Sequence, residues 1–568
     1  MSHVTRATPR RLAPPRFLQA VRGVSAGSLS REILAGVTLA ALMIPLNIGY
    51  AQVAGLPPIV GLHAAILPAI VWALTCHTRH VVASPDAAIA AMIIALVSPF
   101  AAPDEPRYAQ LVFAQALICG LIFVAFWAFR LGFLANFLSH AVLVGFITGL
   151  GVEVLFSQIR KIMGVSVEAE GFFREAWATL LAIPEASLWS VVIGVGTIIV
   201  IRALQRVAPK LPGALIGLVL ATILVSVLGL DQRGVSVLGA VPSGLSTFAL
   251  PNVKWADYLA LFPGALALAA VTLAEAPLIA RRYAEKYGEP LDVDQDLFAF
   301  GAANAAAGLF GGFSVGSSAS RTAAMDSVGA RTQIPSLVAG VVVAVILLFF
   351  TDLLALLPNA ALAGIVANAV VKLIEVDEFR ELRRVRRSEF WVAAFACVAV
   401  LVLGALQGVI IAFVLSLIDL IWRASQPHTA VLVEQPDGQS FEAPEGAPVQ
   451  TTRPGLIIYR FSAPLYFANA GRFQDEVKSL AANAAPPVRW FVLDAAAISD
   501  IDTTGARALA QTITALKAQG ITFAISRART PVPDLLERYE LLEQIGKERL
   551  FVTNRAAVRA FEQVAGAQ

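Results

Sequence analysis

The sequence predicts a polytopic α-helical membrane protein with a small α/β domain behind its last span. Three observations predict it. Of the 568 residues, 57% are hydrophobic and only 15% charged, against about 25% charged in ordinary soluble domains. Apolar runs recur between positions 31 and 423, those at 334–350 and 390–422 among the clearest. At roughly 20 residues per crossing they allow about 12 to 14 spans. Beyond position 423 the pattern turns polar and then soluble.

In chain order, residues 1–30 carry Arg6, Arg10, Arg11, Arg16 and Arg22 without an apolar core. They read as a cytoplasmic segment and not as a cleaved signal peptide. Residues 31–424 are the transmembrane region. Basic clusters at 77–80, 130, 202–210, 281–286 and 380–387 follow even-numbered spans if there are fourteen. The less basic loops at 104–107, 231–255 and 351–352 follow odd-numbered ones. The bias of short loops then puts both termini in the cytoplasm of a bacterial inner membrane. Arg160-Lys161, after span five, runs against that bias. A net charge of +3 is too small to imply a nucleic-acid partner. Cys76, Cys119 and Cys397 lie in or beside apolar runs without a CxxC pair, so they read as packing residues, with no metal site or cofactor expected.

Residues 425–455 read as a linker with a possible first strand, including a hairpin turning on Pro436-Asp437-Gly438. Residues 456–568 alternate buried strands (GLIIYRF, RWFVLDAA, ITFAIS) with amphipathic helices (AGRFQDEVKSLAAN, GARALAQTITALKAQG), which gives a small α/β domain.

The membrane region repeats itself. IPLNIGYAQVAGLPP precedes VVASPDAAIAAMIIAL, and about 230 residues later VTLAEAPLIA precedes FSVGSSASRTAAM. Each time a broken or polar span is followed, two spans on, by a short run that starts with Ser. Seven spans per half is an odd number, so the second half inserts upside down relative to the first, the plan of many secondary transporters.

Ser84, with Pro85 behind it, reads as the cap of one half-helix, and Ser317 or Ser318 as the cap of the other. Inverted halves aim the two N-termini at each other near the bilayer midplane. The free N–H groups there, at Ala87 and Ala319 among others, and about half a positive charge per helix end make an anion pocket. Ser320 adds a donor and Arg321 a fixed cation. Such groups at that depth must face protein or a water-filled cavity; a solvent loop explains the serines but not the matching copy at Ser84. Glu275, inside an apolar helix, is a candidate for carrying a proton with the anion; the alternative is a structural hydrogen bond, for instance to Arg321. Asp86 either shares that task or stabilises its helix N-terminus, and Glu153 is a further candidate. Pro277 is expected to free a carbonyl. Pro45 breaks span one, where Tyr50 and Gln52 are placed to contact substrate.

These segments resemble the sulfate permease family of anion transporters, relatives of the solute carrier 26 proteins. IPLNIGYAQVAGLPPIVGLH resembles the first signature of the family. GAANAAAGLFGGFSVGSSASRTAAMDSVGARTQI resembles the second, through Asn304, Gly311-Gly312, Arg321-Thr322 and Gly329-Ala330-Arg331-Thr332. VLDAAAISDIDTTGARAL resembles a STAS domain. The resemblance implies fourteen spans in inverted repeats of seven. It implies a core of spans 1–4 and 8–11 that moves against a gate of spans 5–7 and 12–14. It also implies an anion held between spans 3 and 10, and a homodimer formed through gate and STAS domains. Glu275 falls on the acidic position of span 8. In sodium-coupled bicarbonate members this residue helps bind Na⁺ with a hydroxyl one turn on; here that position is Ile279, which favours protons. Asn47 replaces the usual Gln and His63 the usual Tyr. Thr504 occupies the phosphorylated position of D-x-[ST]-G, and plain helix capping by Asp502 or Thr503 is the alternative. The expected function is H⁺-coupled transport of sulfate, bicarbonate or a C4-dicarboxylate by an elevator-like motion. An anion channel, a Na⁺-coupled bicarbonate transporter and a membrane-anchored STAS regulator are the alternatives.

Overall fold

A computed structural model describes residues 14–24, 26–136, 139–165, 171–208, 211–435, 440–443 and 451–565. The chain forms two compact units, Met1–Ser416 and Leu417–Gln568.

In the first unit, α1 (Ala26–Val53) and α2 (Pro58–Thr75) lead to a two-residue strand β1 (Ala83–Ser84) and the half-length α3 (Ala87–Val97). There follow α4 (Pro106–Ala128), α5 (His140–Met163), the short α6 (Phe172–Leu181), α7 (Leu188–Val207) and α8 (Gly213–Leu228). The second half opens with α9 (Trp255–Tyr287) and α10 (Val293–Leu309), then β2 (Gly316–Ser317) and the half-length α11 (Ala319–Val328). It continues with α12 (Ile334–Phe349), α13 (Thr351–Ala355), α14 (Asn359–Val370), α15 (Val376–Val385) and α16 (Arg387–Leu403); α17 (Ala405–Ser425) runs past Ser416, where the first unit ends. Among the described residues, seven helices have the length and hydropathy to cross a membrane, and Ala87–Val97, Gly213–Leu228 and Ile334–Phe349 are shorter apolar helices. The run at 390–422 is two helices, because Gly404, at φ +89°, takes a backbone conformation that ends α16.

The packing carries the inverted repeat. α1 lies on α12 as α9 lies on α4, and α2 on α12 as α10 on α4. α5 lies on α16 as α14 lies on α7. α2 and α10, and α5 and α14, pack on their own counterparts. Water offers no drive to pack helices inside a bilayer, so small residues must admit close backbone approach. At Gly61 a Cβ would stand 2.1 Å from the Asn47 carbonyl oxygen, and at Gly120 one would stand 2.6 Å from the Ala305 nitrogen. Part of the expected N-terminal cytoplasmic segment is tied to this unit. The Arg16 main chain exchanges two hydrogen bonds with the Gln295 side chain, and Leu18 N–H donates to the Leu74 carbonyl. Arg6, Arg10 and Arg11 lie outside the described residues.

The second unit is a five-stranded sheet ordered β3-β6-β7-β8-β9. β3 (Thr429–Val431) runs antiparallel to β6 (Leu456–Phe461); β7 (Trp490–Asp494), β8 (Thr522–Ser526) and β9 (Leu550–Phe551) continue in parallel. β4 (Val433–Glu434) and β5 (Phe441–Glu442) pair antiparallel around the expected hairpin turn, whose residues 436–438 lie outside those described. Period-two alternation splits the core. Ile457, Tyr459, Phe461, Phe491 and Leu493 face α18 (Ala470–Asn483) and α19 (Thr503–Ala518), joined by α20 (Val532–Arg538) and α21 (Leu541–Ile545). Leu456, Ile458, Trp490 and Val492 face α22 (Asn554–Ala565). Asp494, fully buried, takes ion pairs from Arg460 at 2.9 Å and Arg527 at 3.2 Å.

Candidate functional site

β1 and β2 pair antiparallel at the centre of the first unit, Ala83 opposite Ser317 and Ser84 opposite Gly316. This pairing brings the starts of α3 and α11 together. Ser318 N–H donates to the Val82 carbonyl at 3.0 Å, and Val82 N–H donates to Thr322 Oγ1 at 3.0 Å. From behind, Asn304 of α10 clamps the approach to β2: its amide donates to the Val315 carbonyl at 2.9 Å and accepts from Val315 N–H at 3.0 Å.

The caps differ from the sequence expectation. Ser84 belongs to β1 and Pro85 follows it outside the helix; Asp86 is the cap of α3 and accepts from Ala88 N–H at 3.3 Å. Strand pairing holds Ser84 two residues short of α3, and Asp86, extended and directly before Ala87, is the residue whose side chain reaches the first-turn N–H groups. Ser317 likewise lies in β2. Ser318 holds the cap position of α11 but makes no side-chain capping bond; its Oγ lies 3.5 Å from Ser320 Oγ.

Arg321 occupies the third position of α11 and is 1% exposed. Nη1 donates to the Pro85 carbonyl at 2.6 Å and Nη2 to Asn47 Oδ1 at 2.8 Å. The guanidinium stands 5.6 Å from the centre of the Tyr50 ring. Among the described residues no carboxylate lies within ion-pair distance of it; the Asp86 carboxylate, at the start of α3, faces it electrostatically from farther off. Its Nε, the hydroxyls of Ser84 and Ser317, and Asn47 Nδ2 are buried without a hydrogen-bond partner in the protein. A native interior rarely leaves so many donors unpaired in one place. Ala319 and Ser320 are exposed and Asp86 partly so, while Ala87 is buried. The start of α11 is therefore accessible beside the buried guanidinium.

Glu275 on α9 makes no hydrogen bond or ion pair among the described residues, and its charged neighbours are the carboxylates of Asp86 and Glu375. The alternative of a Glu275–Arg321 bond is not realised. Pro277 leaves α9 continuous, as does Pro45 in α1. Leu273, whose carbonyl Pro277 deprives of a partner, lines a small cavity of about 10 Å³ with Trp72, Pro277 and Asp296. Gln52 is otherwise engaged than expected: its amide donates to Asn359 Oδ1 at 2.9 Å. His63 lies 3.4 Å from the Gly311 carbonyl and edge-on to Phe310. Glu153 is half-buried, with Oε2 unpartnered.

In the second unit Thr504 is exposed in the first turn of α19. Asp502 caps that helix, accepting from Gly505 N–H at 2.7 Å. Asn304, Thr322 and Asn47 enter the sequence reading only through the family signatures; the structure makes them hold the two helix starts and Arg321. A lone Asn within the alanine-rich α10 was the available signal.

The model of the sulfate permease family matches residues 29–396, and that of the STAS domain matches residues 447–557. A protein of Mycobacterium tuberculosis named as a probable sulfate transporter is 39% identical over 535 residues, 94% of this chain and 96% of its own. A low affinity sulfate transporter of Stylosanthes hamata is 30% identical, covering 96% of this chain and 89% of its own. The murine solute carrier 26 member A9 anion transporter in its inward-facing state superposes with a TM-score of 0.87 at 19% identity, over 96% of this chain and 93% of that one. The transmembrane domain of a cyanobacterial bicarbonate transporter superposes at 0.59 and 21% identity, over 70% and 98%. At those identities the two structures show the fold.

Proposed function

The chain belongs to the sulfate permease family, and from that premise we propose that it moves sulfate across a bacterial inner membrane, coupled to protons. It is an anion transporter and not an enzyme. The observation that carries the substrate reading is Arg321: a buried guanidinium at two facing helix starts, with no carboxylate paired to it and unpaired donors around it. An oxyanion adds negative charge beside Arg321 and accepts from Ser84, Ser317 and the Ala319 N–H at the start of α11, while Asp86 holds the Ala88 N–H of α3. Tyr50 walls the pocket.

For coupling, Glu275, Asp86 and Glu375 share one neighbourhood, and a proton held there lessens their mutual repulsion as the anion enters. Ile279, one turn after Glu275, offers no oxygen to a sodium ion, which disfavours the sodium-coupled bicarbonate reading. The cycle we propose moves a core of α1–α4 and α9–α12 against a gate of α5, α7, α8, α14, α16 and α17. Both termini lie in the cytoplasm, the protein has fourteen crossings, and two copies pair through gate and STAS domains.

Purified protein in vesicles, given radiolabelled sulfate with and without an inward proton gradient, tests this. Saturable uptake accelerated by the gradient is expected. Saturable uptake indifferent to the gradient would remove the proton. Non-saturating flux would mean a channel, and no anion flux would favour a STAS regulator.

A further inference from the structure

The basic pair Arg160-Lys161 ends α5 on the side where short loops carry little positive charge. The structure accounts for the two residues differently. Arg160 pairs with Glu175 of α6 at 2.5 Å. Lys161 pairs with no carboxylate among the described residues; its Nζ donates to the Gln52 main-chain carbonyl at 3.2 Å. An ammonium has three protons to donate, and this contact uses one. Lys161 stands in the last turn of α5, partly buried, with its ammonium turned to the core helix α1.

Gln52 is the other end of a chain of contacts. It sits at the end of α1, in the core. Its amide holds Asn359, the first residue of α14, at 2.9 Å. Asn359 in turn donates to Ser236 Oγ at 2.8 Å and to the Val237 carbonyl at 3.2 Å, in the connection after α8. Leu238 N–H extends the row to the Leu357 carbonyl at 2.8 Å. One line of polar contacts thus ties core helix α1 to gate helices α5 and α14, at the end of the bundle remote from the start of α1.

We infer that Lys161, Gln52 and Asn359 form the outer latch of the transport cycle, and that Lys161, once released from Gln52, receives the incoming oxyanion before it reaches Arg321. The inference rests on the proposed orientation and alternating access. A flexible, compact ammonium held only by a carbonyl suits a brief contact, because breaking that contact leaves no buried carboxylate unpaired. On α5 itself the other charged groups near Lys161 are Arg160, paired with Glu175 of α6, and, two turns back, Glu153. The plainer role, a cation balancing the C-terminal end of α5, asks only for positive charge in the last turn, which Arg160 also supplies.

Sulfate flux measured in right-side-out and inside-out vesicles separates the two roles. Lys161→Gln is expected to raise the half-saturating sulfate concentration on the outer face roughly tenfold, as loss of one charge-assisted contact does, and to leave the inner face unchanged. Lys161→Arg retains the wild-type value. Cysteines placed at Gln52 and Asn359 and bridged by a short bifunctional thiol reagent are expected to stop flux until a reductant cleaves the bridge, single-cysteine variants serving as controls. An unchanged outer-face value in Lys161→Gln, or a bridged protein that still transports, would overturn the inference alone. Wild-type protein without saturable sulfate flux would sink the transport reading, and this one with it.

Discussion

Arg321 Nη1 donates to the Pro85 carbonyl at 2.6 Å, a contact that reaches from one inverted half of the chain to the other. Its partner bond, from Nη2 to Asn47 Oδ1 at 2.8 Å, adds α1. One side chain therefore fixes the relative placement of both half-helix starts and the helix that carries Tyr50. Two of its donor nitrogens are spent on neutral acceptors that leave its charge intact. Rigid placement and a charge paired with no carboxylate at contact distance are what an anion site requires.

Replacing Arg321 by Ala should therefore do more than remove a charge. Sulfate affinity, read by calorimetry or by half-saturation of uptake, is expected to fall at least about tenfold, as for loss of a charge-assisted bond. Lys should restore little, because a point-charge ammonium cannot bond Pro85 and Asn47 in the fixed fork of a guanidinium. Wild-type affinity in either variant would count against the site.

Glu275→Gln tests coupling. The amide keeps the shape of the side chain but cannot exchange a proton. Uptake driven by an inward proton gradient should drop to the rate seen without one, while sulfate–sulfate exchange persists. Stimulation equal to wild type would remove Glu275 from the mechanism.

Gly61→Ala tests the close approach of α1 and α2. The added Cβ would stand 2.1 Å from the Asn47 carbonyl oxygen and 3.0 Å from the Ala51 Cβ. The helices must separate, at a cost of about 1–3 kcal/mol for overpacking. The melting temperature of the purified protein is expected to fall, and sulfate affinity with it, since Asn47 positions Arg321. An unchanged melting curve contradicts this packing.

Asp494→Ala probes the second unit. The substitution leaves Arg460 and Arg527 facing an empty buried position. Removing one partner of a buried pair costs about 3–5 kcal/mol, and the partial exposure of both arginines argues for the low end. Unfolding followed by fluorescence near Trp490, on the same strand, should shift to lower denaturant. Asp494→Asn, which keeps an acceptor, should shift it less.

The helices and strands were legible because their signals are local. Apolar length marks a span, alternation marks a buried strand, and 3.6-residue periodicity gave α18 at its observed bounds. The pocket was legible in outline: the Ser84 and Ser317-Ser318 segments do face each other, and Arg321 is beside them. Its details were not. Serine before Pro commonly caps a helix, which is the local expectation for Ser84; its pairing with Gly316, some 230 residues away, recruits it to a strand and leaves the cap to Asp86. Gln52 was read toward the substrate because it lies two residues from Tyr50; Asn359, on a helix of the other half, holds its amide.

The sequence by itself determined the character of the apolar segments, the repeat, the fold of the C-terminal domain and the identity of the buried cation. Only the tertiary structure decided which donors remain unpaired, which residue caps each half-helix and which polar groups hold α1 against the gate. The reason is physical. Hydrophobicity and periodicity act along the chain, but a hydrogen bond is settled by whichever partner the fold brings within about 3 Å, and for Arg321, Gln52 and Asp86 that choice depends on elements from distant parts of the sequence.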